Sequence, residues 1–371
     1  MRHGDRGRLN VNGVPLTVVG ASYREAPTSL RARLAAAVRE TRVLEQLRAY
    51  EAAQAYVTLS TCSRVEWIIS TATPQWARDL FAAALGKLGL PAQRMHVRTG
   101  AAALQYIVDV TLGLDSVSEG EPAVARQVIK AFQAGHAAGT TDANLRHLWK
   151  RLEVAVHERR LALPELGARG IQSLVIDRIR ADAATASNVV IWGQGEIGRA
   201  VSRACERAEL SGLSFTRASA QDFACAVLAA DVVIVCTGAD EPYLALPPGK
   251  RNQLCIDIGS PPQISSAPGW RWLTLDELLG AAGDPMAPDE RAALERIAAQ
   301  CCERVQHQLQ RKATIVAYKD MVEIRLSFFE KVLPELLSGL PRQRSLAIRK
   351  AVARFAHDLM VATESPPENS A

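Results

Sequence analysis

Short apolar runs alternate with amphipathic stretches along the chain, and the style of alternation changes twice. Leu16 to Ala21, Tyr56 to Ser60 and Val65 to Ser70 are brief runs rich in β-branched and aromatic residues, and they predict strands. Ser29 to Ala49 and the segments 74–88, 101–112, 120–137 and 143–160 place apolar residues at helical spacing. Together they predict an α+β unit of about 160 residues, an ordinary domain size. Gly167 to Gly170 punctuates its end.

From Asn188 the rhythm becomes strand, helix, strand. Val189 to Trp192 reads as a buried strand, Ile197 to Ala208 as a helix, and Leu213 to Thr216, Val232 to Cys236 and Leu254 to Ile258 as further strands between helices. That order predicts a parallel, doubly wound sheet. Past Asp284-Pro285-Met286-Ala287-Pro288 no glycine occurs until about Ser338, and only Pro334 interrupts late. About 45 helical residues would extend roughly 70 Å, which suits a spine or an oligomerisation arm better than a compact core. A last helix, Ser345 to Met360, sets Leu346, Val352, Phe355 and Leu359 against Arg344, Arg349, Lys350 and Arg354, and the tail from Glu364 to Ala371 reads as disordered. The boundaries expected are 1–160, 161–283 and 284–371.

Composition narrows the function classes. The chain has 371 residues, 48% of them hydrophobic, enough for more than one core. No apolar run is long and charge-free enough to span a bilayer, and the basic N-terminus leads into no signal-peptide core, so a soluble cytoplasmic protein is expected. Seven cysteines at irregular spacing suggest neither a disulfide ladder nor a metal site, and Cys301 and Cys302 read as packing residues in a helix. A net charge of +5 says little about partners. More informative is the cluster His147, Lys150, Arg151, His157, Arg159 and Arg160, either a solvated helix face or a phosphate-binding stripe.

Gly193-Gln194-Gly195-Glu196-Ile197-Gly198 follows a predicted strand and opens a predicted helix. In that context the glycines allow a tight turn, close approach of a pyrophosphate and close helix–strand packing. The next strand ends Phe215-Thr216-Arg217, with no acid to accept a ribose 2′-hydroxyl, so Arg217 favours a 2′-phosphate and hence NADP. Thr237 and Gly238 should form a loop under the cofactor.

Cys62 stands in Leu59-Ser60-Thr61-Cys62-Ser63-Arg64-Val65-Glu66, where a strand should turn. Only the thiolate is nucleophilic, and Arg64 is placed to stabilise it or to bind a carboxylate. A nucleophilic thiol together with a nicotinamide site suggests a thioester reduced by hydride.

Further segments occur in a telling order: Gly20 to Pro27, Leu59 to Glu66, Gly113-Leu114-Asp115-Ser116, Gly120-Glu121-Pro122 with Gln127-Val128, Gly193 to Gly198, and Ile256 to Pro261. With these the chain resembles the glutamyl-tRNA reductase family from about Leu16 to Met360. The resemblance implies an α/β multidomain fold: an N-terminal α+β catalytic domain, a Rossmann-type NADPH domain, and a long spinal helix leading to a C-terminal helical dimerisation domain. It implies reduction of glutamyl-tRNA to glutamate-1-semialdehyde, the first committed step of five-carbon tetrapyrrole synthesis, with an aminomutase downstream. By the match, Cys62 attacks the aminoacyl ester. Thr61, Arg64, Ser116, Glu121 and Gln127 stand at substrate positions, and the basic segment gains a partner in tRNA phosphates.

Departures accompany the match. Ser63 replaces the family asparagine, Tyr106 stands seven residues before Gly113 where a histidine is expected, and Tyr23, Ala123 and Pro262 are also substituted. A phenol is a poor general base at neutral pH but can donate a hydrogen bond from the same place. The chain therefore reads as a divergent member. A reductase of another aminoacyl-tRNA or acyl donor, and a non-catalytic NADPH- or tRNA-binding regulator, remain alternatives; Arg64 favours an acidic acyl group, and Cys62 argues against the regulator.

Overall fold

All seven residues of the first strand, β1 (Leu16–Ser22), are buried, polar ones included. Its position explains this. In the computed structural model, which describes residues 14–40, 55–71, 94–164, 170–239, 241–250, 253–280, 286–327, 333–338 and 340–364 with isolated positions at 79, 82, 86, 89 and 331, β1 lies inside a four-stranded antiparallel sheet. Its neighbours are β3 (Arg64–Ser70) and β4 (His96–Thr99), and β2 (Ala55–Ser60) forms the edge beyond β3.

Helix α1 (Thr28–Glu40) covers one face, where Val19, Ala21, Leu34, Val65, Trp67 and Ile69 form a core. Helices α2 (Gly100–Leu112), α3 (Pro122–Ala137) and α4 (Ala143–Ala162) pack on the other face. The ends of these helices follow local chemistry. Gly113 at φ 84 ends α2, its amide donating back to Val110, and the Asp142 carboxylate caps α4 by accepting from the Asn144 and Leu145 amides.

Helix α5 (Ile171–Asp182) leads into a five-stranded parallel sheet built from β5 (Asn188–Trp192), β6 (Ser211–Phe215), β7 (Val232–Val235), β9 (Leu254–Asp257) and β11 (Arg271–Thr274). Its spatial order is β6-β5-β7-β9-β11, so the chain reverses direction across the sheet between β5 and β7. In doubly wound folds that reversal opens a crevice at the strands' carboxyl ends. Helices α5, α6 (Glu196–Arg207) and α8 (Leu275–Gly280) share one core with the sheet, and α7 (Ala220–Val227) belongs to the core on its other face, beside a small parallel pair, β8 (Leu244–Ala245) and β10 (Ile264–Ser266).

Helix α9 (Pro288–Ser327) spans 40 residues and begins against the N-terminal layer, where Met286 and Leu294 pack with Leu114 and Leu163. By contact density the chain forms two units, 1–307 and 308–371, and the second contains α10 (Leu333–Leu336) and α11 (Arg342–Glu364).

The periodicity located most of these elements to within a few residues. It missed β4, β8, β10, β11, α5 and α8. The expected continuation of α1 through residue 49, the helix at 74–88 and the tail after Glu364 fall at least partly outside the described residues, as do 167–169. No helix among the described residues is long and apolar enough to cross a membrane.

Phe132 is fully buried where α3 meets the sheet. Phe132→Ala should cost about 3–5 kcal/mol through lost transfer energy and a residual cavity. A lower urea midpoint for the N-terminal sheet would register it; an unchanged midpoint would contradict the packing.

Candidate active site

Strands β2 and β3 pair from Ser60↔Val65 outward, which leaves Thr61-Cys62-Ser63 as the tip of a hairpin. The Thr61 hydroxyl accepts from the Ser63 and Arg64 amides at 3.2 and 3.1 Å, and the Thr61 amide donates to the Arg64 carbonyl at 2.8 Å. The threonine thus holds the turn that presents Cys62.

Beneath the tip lies Arg31, 1% exposed. Its guanidinium donates to the Cys62 carbonyl at 3.0 and 3.2 Å, to the Ala26 carbonyl at 2.5 Å and to the Thr28 hydroxyl at 2.9 Å. Asp276, at the start of α8, pairs with it at 3.4 Å and also accepts from the Thr28 amide. One buried cation therefore ties α1, the cysteine turn and the parallel-sheet layer together. Burial pushes the Cys62 thiol up to about 11, the Glu121 carboxylate adds to that, and the Arg31 and Arg64 charges pull it back down. Arg31, which the motif did not single out, is the stronger of the two cationic influences.

Cys62 lines two cavities. One, of 610 Å³, opens toward Thr237, Gly238, Ser260 and Pro261 at the ends of β7 and β9. The other, of 830 Å³, runs between α3 and α6 and is lined by Glu121, Gln127, Gly195 and Glu196 among others. Ile197 and Cys236 border both, and Cys62 packs with them against the parallel-sheet core. Burial lifts the Glu121 carboxyl to about 7, against the pull of Arg126 and Arg64, while its oxygens accept from the Ile171 amide.

Arg64 is fully buried and faces inward from the hairpin. It donates to the Asp115 carbonyl at 2.5 Å, to the Asp115 carboxylate at 3.2 Å, to the Tyr106 hydroxyl at 2.8 Å and to Glu66 at 3.4 Å. The Tyr106 hydroxyl in turn donates to Glu66, and burial raises its pKa further, so the phenol stays protonated. Neither Arg64 nor Tyr106 lines either cavity. Two donors nearby remain open: Arg64 Nε and the Ser116 hydroxyl are buried without a hydrogen-bond partner.

The glycine loop sits at the β5–β7 crevice. Gly193 has φ 116, and a Cβ there would lie 2.8 Å from the Cys236 carbonyl oxygen. A Cβ on Gly198 would meet the Gly193 carbonyl oxygen at 1.9 Å, so helix and loop can approach only without a side chain. Gly195 faces open space. Gln194 donates to the Ser214 carbonyl at 3.2 Å, and Glu196 pairs with Arg126 at 3.2 Å. The buried Asp257 carboxylate accepts from the Gly259, Gln263 and Ile264 amides and shapes the loop that faces Thr237. The open glycine cradle at a helix N-terminus fits a dinucleotide. Arg217 begins a short turn after β6; its side chain lies outside the described residues.

Residues 19–157 match the family model for the glutamyl-tRNAGlu reductase N-terminal domain. The glutamyl-tRNA reductase of Thermomicrobium roseum is 28% identical over 96% of this chain and 97% of its own length, and that of a Synechococcus strain is 27% identical over 93% and 91%. Over these residues, and along nearly the full length of these two relatives, the chain is similar to glutamyl-tRNA reductases. A solved glutamyl-tRNA reductase from Methanopyrus kandleri is 22% identical, covers 96% of both chains and superposes with a TM-score of 0.45.

Two features noted in the sequence take a different form in the structure. The histidine expected at Tyr106 is absent, yet His96 from β4 stands edge-on to that ring at 5.2 Å, with its nitrogens 3.4 Å from Glu25 and 3.6 Å from Glu66. An imidazole is therefore kept in the cluster, ten residues earlier in sequence, where no linear motif would find it. The basic segment also needs correcting. His147 and Arg159 are buried, Arg159 donates to the Gly120 carbonyl, and the Arg151 carbonyl accepts from Cys301 of α9. The six residues do not form one exposed stripe, because α4 turns some of them into the core.

The charges around Cys62 have a measurable sign. Glu121→Gln removes a carboxylate that disfavours the thiolate and should speed iodoacetamide alkylation at pH 8 by about 3- to 10-fold; Arg31→Met should slow it comparably. The Glu121 effect should fade at pH 6, below its titration near 7. Equal rates in all three proteins at pH 8 would contradict the assignment.

Proposed function

We propose that this chain catalyses NADPH-dependent reduction of glutamyl-tRNA to glutamate-1-semialdehyde, the entry step of tetrapyrrole synthesis by the five-carbon route. The observation that carries the reading is the position of Cys62, which borders both the crevice at Thr237 and Gly238 and the cavity holding Glu121. An acyl group on this sulfur would sit next to the dinucleotide cradle.

In the proposed reaction the Cys62 thiolate attacks the carbonyl carbon of the aminoacyl ester. The tRNA 3′-hydroxyl leaves with a proton, and the glutamyl group remains as a thioester on Cys62. The ester is already activated, so no ATP is needed. Gly193 to Gly198 would hold the cofactor pyrophosphate, with Gln194, Glu196 and Ile197 at the helix start, Thr237 and Gly238 below it and Arg217 at the 2′-phosphate. A reduced nicotinamide bound there would supply the hydride that converts the thioester to aldehyde and releases Cys62 as the thiolate.

Arg31 and Arg64 favour the thiolate, and the hairpin tip holds its direction. Glu121 and Gln127 line the wall beside the thiol that would receive the acyl group, while Arg64 and Ser116 lie behind the turn, outside both cavities. Tyr106, tied to Glu66 and Arg64, orients the guanidinium and does not act as a base. The domain assignment follows: 1–160 for acyl transfer, 161–283 for the cofactor, and 284–371 for dimerisation. Exposed Leu346 and Ile348 on α11 support that last part. An aminomutase consuming the aldehyde, and a cytoplasmic site of action, complete the reading.

Cys62→Ser should reduce aldehyde formation from glutamyl-tRNA to background while NADPH still binds. Gly198→Ala should do the reverse, abolishing NADPH binding while Cys62 still accepts the acyl group. Turnover by the serine variant would overturn the thioester.

A further inference from the structure

Cys62 and Ser63 line one end of the 830 Å³ cavity, and the wall that leads away from them is basic. Helix α6 presents Glu196, Ala200, Arg203 and Arg207 to this cavity, a spacing that keeps all four on one helix face. Arg203 and Arg207 follow Ile197 by six and ten residues, which places them about 9 and 15 Å along the helix axis from the residue that packs beside the thiol. Arg126, on α3, faces them across the same space.

The acids in the lining do not cancel this charge. Glu196 is paired with Arg126 at 3.2 Å, and Glu121 lies toward the thiol end, with its carboxyl held near half-protonation at neutral pH. Arg203 and Arg207 are exposed and have no ion-pair partner among the described residues. Two free guanidiniums in line with a nucleophile suit a substrate whose reactive ester is followed by a chain of phosphates. The other cavity at Cys62 leads to Thr237 and Gly238 past β7, while the 830 Å³ cavity starts at Gly195 and Glu196 of the glycine loop and runs outward along α6 to Arg203 and Arg207.

We infer that Arg203 and Arg207, on the outer face of the glycine-loop helix, bind the backbone phosphates of the 3′ end of the charged tRNA and lead its ester to Cys62. This rests on the function proposed above and locates the nucleic-acid contact on the nucleotide-binding layer, away from the basic segment of α4. Guanidiniums are suited to this role because their planar forks bind phosphate oxygens in pairs.

The test is fluorescence anisotropy of full-length protein with labelled, uncharged tRNA across a salt series, run beside NADPH binding and aldehyde formation. Arg203→Ala with Arg207→Ala should weaken tRNA binding about tenfold or more and flatten the log–log salt dependence by about 1.4, two single-strand phosphate contacts. KM for glutamyl-tRNA should rise with kcat little changed, NADPH affinity should hold, and Arg203→Lys with Arg207→Lys should restore most of the binding. Unchanged affinity and slope would overturn the inference. So would a loss of NADPH affinity instead, which would assign the arginines to the cofactor. If the parent protein binds tRNA in this arginine-dependent way but yields no aldehyde, the proposed reaction fails while the phosphate site stands.

Discussion

A buried guanidinium holds the candidate site in place. Arg31 has almost no access to water, and a charge removed from water is tolerated only where acceptors replace the lost hydration. Here the acceptors are the Cys62 carbonyl, the Ala26 carbonyl, the Thr28 hydroxyl and the Asp276 carboxylate. They belong to the hairpin tip, the approach to α1, α1 itself and the parallel-sheet layer. The same set of contacts that neutralises the cation therefore fixes where the thiol stands relative to the glycine loop. Its positive charge also offsets part of the penalty that burial places on the Cys62 thiolate.

Behind that turn a second cluster performs a different task. Arg64, Glu66, Tyr106 and Asp115 satisfy one another almost completely, with His96 and Glu25 at the margin. Such a network is rigid because each member would be left unpaired by the movement of another. Two polar atoms stay buried in it without a hydrogen-bond partner, Arg64 Nε and, beside Asp115, the Ser116 hydroxyl. That fixed frame holds the hairpin whose tip carries Cys62, and both cavities meet at that residue.

Much of this was legible in the sequence, for reasons that differ by element. β1, β3, β5, β7 and β9 are apolar runs buried in sheet interiors, and such strands announce themselves. β4 does not, because His96-Val97-Arg98-Thr99 contains a single apolar residue and owes its pairing to β1. Gly113 and Gly198 could be read because a helix end and a close backbone contact each require glycine. Arg31 could not be read: Arg33 lies two residues away on the same helix, and only the tertiary fold decides which of them is buried. His96 was hidden similarly, since a side chain supplied by another strand leaves no trace in a linear motif. The basic segment misled because its residues alternate between the core and the surface of α4.

The central claim is that Cys62 carries the acyl group between tRNA and hydride. Intact-protein mass spectrometry after mixing with glutamyl-tRNA in the absence of NADPH tests it directly. The account predicts one glutamyl adduct per chain, located on the peptide containing Cys62, labile to hydroxylamine and lost as aldehyde when NADPH is added. An unmodified protein that still produces aldehyde once NADPH is supplied would contradict it.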